Sequence, residues 1–156
     1  MKQVLLFIFA CCCLTLKAQD IQKGSVDGIA SYTRGAVEFD YSKTTIARSV
    51  RSVDELKSSN EDWQKRLPRQ EEWCIGSIND DLKGAIVFGK EAKADLFLTL
   101  RIDKIDEDIE NPVITAIFTD KDGKELLIIT DLSDDDLNGI GHILGKFLRR
   151  QLRKIR

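Results

Sequence analysis

Few side chains in this sequence combine the type and the spacing that chemistry needs. The run Asp134-Asp135-Asp136-Leu137-Asn138-Gly139 matches the first half of a calcium loop, D-x-[DN]-x-[DN]-G. Calcium takes about six or more oxygens, and the twelfth position of such a loop supplies a bidentate glutamate. Here that position is Gly145, so the run reads as a helix start, with carboxylates facing the positive end of the helix dipole. Asp120 and Asp122 form a weaker pair that turn chemistry explains. His142 is the single histidine, and no cysteine or carboxylate cluster stands at zinc-ligand spacing from it. A serine nucleophile would need an elbow. The stretch Ile75-Gly76-Ser77-Ile78-Asn79 lacks the second glycine of that motif and falls within a predicted helix. There is no Gly-rich phosphate loop. No metal and no cofactor are expected.

The densest charge lies at the C-terminal end. Lys146, Arg149, Arg150, Arg153, Lys154 and Arg156 crowd the last eleven residues. Of these, Lys146, Arg149, Arg150, Arg153 and Arg156 form the candidate binding set, a patch for lipid headgroups, lipopolysaccharide or an acidic protein. The competing reading is a solvated face whose cations suit a helix C-terminus. Trp63 and Trp73 are the residues that could line a ligand pocket between the sheet and the main helix, although tryptophan there also serves as core or rim packing.

The N-terminus is an address. Met1-Lys2-Gln3 is a short charged start, Val4 to Leu16 is apolar, and Lys17-Ala18-Gln19-Asp20 is polar again. This predicts an export signal over 1–18, cut after Ala18, because signal peptidases want a small residue there. The apolar run is shorter than the roughly twenty residues a membrane span needs. A rival processing route reads Ile8-Phe9-Ala10-Cys11 as a lipobox, which would leave the protein anchored through a lipidated Cys11. Otherwise the destination is the periplasm or the outside of the cell. Three of the four cysteines fall inside the signal, so Cys74 alone remains and no intramolecular disulfide can form. It lies on an apolar stripe and reads as a small buried hydrophobe. Loss of Lys2 and Lys17 takes the net charge from −2 to about −4, which argues against nucleic acid as a partner.

These residues need a scaffold. Residues 19–35 read as a polar lead-in, with a short strand at Ile29–Thr33. Ala36–Tyr41 alternates as a half-buried strand. Ser52-Val53-Asp54-Glu55 is a capping box that should start a helix near 53–66. Pro68 should break it, since proline lacks the amide donor, leaving a main helix near 69–82 or one kinked helix. Gly84 is placed to end it. Ala85–Phe88, Asp95–Ile105, Val113–Thr119 and Glu125–Thr130 read as strands, the last three as a meander closed by Asp120-Lys121-Asp122-Gly123. An amphipathic helix over Leu137–Lys154 completes the chain, with Ile140, Ile143, Leu144, Phe147, Leu148, Leu152 and Ile155 on one half and His142 with the basic residues on the other. The expected fold is α+β: a mixed four- to five-stranded sheet, β-α-β-β-β-α, with helices packed on one face, in a single domain over 36–156.

Three segments, Val37–Lys43, Ala94–Ile102 and Leu144–Leu148, together resemble a group of small exported proteins of Bacteroides-type bacteria whose function is unknown. More distantly, the helix–strand order is similar to envelope domains related to the curli-secretion lipoprotein and to the N-terminal domain of the Tol-system propeller protein. That resemblance implies action by protein contacts in envelope assembly and transfers no catalytic residue. One departure is the loop Asp131–Gly141, acidic here where the nearer group has a Gly/Ser-rich loop. The expected function is therefore an exported envelope or secreted binding module acting on a protein or an anionic surface. The alternative is a small ligand carrier or hydrolase.

Overall fold

The computed structural model describes residues 20–90 and 93–155. The expected export signal, Cys11 and Arg156 lie outside the described residues. The fold is α+β, with three helices and a mixed, open sheet of seven strands rather than four or five. The strands are β1 (Asp20–Gly24), β2 (Arg34–Asp40), β3 (Thr45–Ala47), β4 (Val87–Gly89), β5 (Leu96–Asp106), β6 (Val113–Asp120) and β7 (Glu125–Ser133). The helices are α1 (Val53–Ser59), α2 (Glu61–Leu82) and α3 (Leu137–Ile155). Along the sheet the order is β1-β7-β6-β5-β2-β4, with β3 also paired to β5.

The extra strands come from segments too short or too polar to show periodicity. β1 is fully exposed along its length and pairs antiparallel with β7, from Asp20 opposite Thr130 to Gly24 opposite Leu127. Residues of the expected lead-in thus add an edge to the sheet. The strand expected at Ile29–Thr33 is instead a 3-10 turn over Val26–Ile29 that buries both of its ends. β3, only three residues long, lies parallel to the far end of β5.

β5 organises the molecule. Leu96, Leu98, Leu100 and Ile102 are buried on one face, while Phe97 and Thr99 point to the other. β2 runs parallel to β5 from Gly35↔Leu96 to Asp40↔Arg101, and β6 runs antiparallel on its other side. The meander β5-β6-β7 follows the expected order, and Gly123 closes its turn at φ 78°.

Pro68 does not break α2. The helix runs through it, and the interruption falls at Asn60, whose side chain accepts from the Asp62 and Trp63 amides at 2.9 and 3.4 Å. Proline costs about 3 kcal/mol in a helix interior. Buried Trp63, Leu67, Gln70, Cys74 and Ile78 hold the helix on both sides of it, and Pro68 itself faces out. α1 begins as expected, on the reciprocal hydrogen bonds of Ser52 and Glu55. α2 and α3 pack together against the sheet. Among the described residues no helix is long and apolar enough to cross a membrane.

Candidate functional site

The α2–α3 seam gathers most of the polar residues that the sequence singled out. Two glycines let the helices approach. A Cβ on Gly141 would lie 2.4 Å from the Cys74 carbonyl oxygen, and one on Gly145 would lie 2.8 Å from the Asp81 Cβ. Gly145, which the half calcium motif would need as a ligand, is thus a packing contact. Asp136 accepts from the Gly139 amide at 2.7 Å and so caps α3. Among the described residues no group of three His, Cys, Asp or Glu side chains is placed to hold a metal ion.

The upper seam holds an arrangement that sequence reasoning set aside. His142 Nδ1 lies 2.6 Å from Asp81 Oδ2, and its Nε2 lies 3.3 Å from Ser77 Oγ. A carboxylate only accepts, so Nδ1 carries a proton and donates to Asp81. Ser77 donates to Asn138 Oδ1 at 2.6 Å. The signal in the sequence was a matched pair of polar residues four apart on each helix, Ser77/Asp81 and Asn138/His142. The order serine–histidine–aspartate is that of a nucleophilic triad, but its surroundings are not. Ser77 is 7% exposed and its proton is directed to Asn138. It lies inside α2, where neighbouring amides are spent on the helix ladder, so they cannot stabilise an oxyanion. The set works as a polar clasp between the two helices.

The lower seam is basic. Lys146, Arg150 and Arg153 are exposed on α3 and Arg149 is half-buried. Among the described residues none of the four, nor Lys83, forms an ion pair with a carboxylate. Arg149 and Arg153 reach a notch of about 370 Å³ whose other walls include Leu82, Lys83, Ala85 and Leu152. Lys83 ends α2 in the left-handed conformation, at φ 52°, and Gly84 follows at φ 81°. The chain reverses there and brings Lys83 to the notch. The sequence put Arg149 and Arg153 on the basic half of α3 and did not single out Lys83, because nothing local marks it as their neighbour.

The tryptophans do not share a pocket. Trp63 is buried and donates from Nε1 to the Glu107 carbonyl at 2.6 Å, whereas Trp73 is 55% exposed on a different face of α2. Cys74 is free and buried, and burial, then the nearby Glu71, pushes its thiol pKa up to about 12. A second cavity, about 350 Å³, lies among Arg66, Gln70, Glu110, Asn111, Asp135 and Asp136. Gln70 Oε1 is buried and accepts no hydrogen bond there from the described residues.

No protein-family model, no curated protein and no solved structure matches this chain.

Proposed function

We propose that this protein is an exported binding module that docks an anionic partner through the C-terminal half of α3. The observation that carries the reading is a row of cations without counter-ions among the described residues. Lys146, Arg149, Arg150 and Arg153 stand on one side of a helix whose other side is consumed by the core. Cations that only solubilise a surface are usually interspersed with carboxylates, as Lys65 and Arg66 are with Glu61 and Asp62 on α2. The resemblance to envelope proteins that act by contact points the same way.

The test is binding of the mature chain to phosphatidylglycerol vesicles. Binding should weaken steeply as salt rises from about 0.05 to 0.3 M, because exposed charges are screened over a shorter Debye length. Reversal of all four cations to glutamate should abolish it. Binding that survives reversal would sink the proposal. Export is tested by intact mass: the mature N-terminus should be Gln19 or Asp20, and an acylated Cys11 would mean a membrane anchor instead.

A second reading, a small hydrolase, has the approach of Asp81 and Ser77 to the two ring nitrogens of His142 behind it. Labelling of Ser77 by a fluorophosphonate would establish that reading. A clasp leaves the serine unlabelled.

A further inference from the structure

We infer that the notch at the lower end of the α2–α3 seam binds a phosphate monoester carried on an apolar body, the head of an anionic membrane lipid. This rests on the reading of α3 as an anion-binding face and adds what that face selects. Lys83, Arg149 and Arg153 line one cavity, and among the described residues no carboxylate lines it with them. Three cations held together repel one another unless a compact anion enters. A phosphate monoester carries about two charges near neutral pH, and arginine meets phosphate oxygens with a matched fork of donors. A carboxylate or a phosphodiester brings about one charge and leaves part of the set unmatched.

The walls argue for more than a free phosphate ion. Leu82, Ala85 and Leu152 give the notch an apolar side. Ile155 follows Leu152 one turn later on α3 and is 43% exposed, so apolar ground continues toward the helix end. A glycerol backbone and the first acyl carbons would cover that surface. The volume of about 370 Å³ lies at the low end of the range for small-molecule sites, roughly 300–1,000 Å³, and is too small for a partner's helix. A flexible acidic peptide could use the whole row of α3 cations and would not need the notch.

The experiment compares two lipids at equal surface charge. Phosphatidylcholine vesicles carry either phosphatidic acid, a phosphomonoester, or phosphatidylglycerol, a diester, with contents adjusted to the same zeta potential. The native chain should bind the phosphatidic acid vesicles about tenfold more tightly, the ratio that one further hydrogen bond to a charged group gives. Lys83→Gln with Arg153→Gln should erase that preference. Lys146→Gln with Arg150→Gln removes the same charge outside the notch, so it should weaken both lipids alike and leave the preference intact. Circular dichroism confirms that both double variants fold. Equal binding of the native chain to the two lipids would overturn the inference while leaving the anion-binding reading standing. So would loss of the preference in the Lys146/Arg150 variant. Glycerol 3-phosphate at about 1 mM should not release the protein, because it lacks the apolar body; release would overturn the lipid assignment in favour of a soluble phosphate ester. Absence of binding to either vesicle would overturn this inference and the proposed function together.

Discussion

Leu148 and Arg149 are consecutive, and their surroundings are opposite. Leu148 is fully buried against the core, and Arg149 reaches the notch with no ion pair among the described residues. Leu148→Ala should therefore cost about 2–5 kcal/mol in a denaturant melt, transfer and cavity terms together. Reversing Arg149 and Arg153 to glutamate should change the same quantity by less than about 1 kcal/mol, since Arg153 is exposed, Arg149 is only half-buried and neither has an ion pair to lose among the described residues. If the reversal unfolds the chain and Leu148→Ala does not, the helix faces are inverted. Cys74 follows the same logic of surroundings. Its thiol is buried and its pKa is raised to about 12, so almost no thiolate exists at neutral pH. Ellman's reagent should leave Cys74 of a folded chain beginning at Asp20 unmodified over hours and react at once after denaturation. Prompt reaction of the native protein would mean the α2–α3 seam opens.

Two glycines in helices carry opposite predictions. Gly76 is exposed within α2 and a Cβ there would touch nothing within 4 Å. Gly76→Ala should stabilise by about 0.5–1 kcal/mol through helix propensity alone. Gly141→Ala gains that same propensity but sets its methyl 2.4 Å from the Cys74 carbonyl oxygen. Both partners there are helix backbone, so α2 and α3 must separate, and overpacking of about 1–3 kcal/mol outweighs the gain. Thermal melts of the two variants should move in opposite directions. A third element-level contact is pH-dependent. Glu107, after β5, accepts from Arg51 and from Ser49, and these hydrogen bonds hold its carboxyl below the ordinary value of 4.5. Glu55 in the capping box is lowered likewise, by the Ser52 amide and hydroxyl. A carboxyl lowered by folding adds stability above its ordinary value and loses it as pH falls through the folded value. Glu107→Gln should therefore flatten the fall in melting temperature as pH drops from about 5 to 3. An unchanged acid limb would show that the contact is absent in solution.

At the scale of the whole molecule, the sequence carried the periodic parts and hid the rest. The alternation of β5, the meander and the two faces of α3 were legible because each depends on residues within one segment. Two short strands were not. β1 has no buried residue and β3 is three residues long, so their pairing depends on partners far along the chain, whereas β4 overlaps the strand expected at Ala85–Phe88. Pro68 misled because a local rule met tertiary packing that outweighs it. In the site, the α3 cations were legible as a charge run. Lys83 and the Ser77–His142–Asp81 contact were not, since both exist only where two helices meet. The hidden edge is also where the domain is most exposed to error. Without residues 20–33, Val26 and Ile29 leave the core, each worth about 1.5–3 kcal/mol when buried. β7 would then present an unpaired edge running through Leu126, Leu127, Ile128 and Ile129, the kind of strand that templates association. A chain beginning at Asp20 should remain monomeric and fully stable. One beginning at Arg34 should lose at least about 3 kcal/mol in urea melts and scatter light increasingly with concentration. If the shorter chain melts at the same midpoint and stays monomeric, β1 and the turn after it are ornaments on a sheet that closes at β7. The domain boundary then falls near the start of β2.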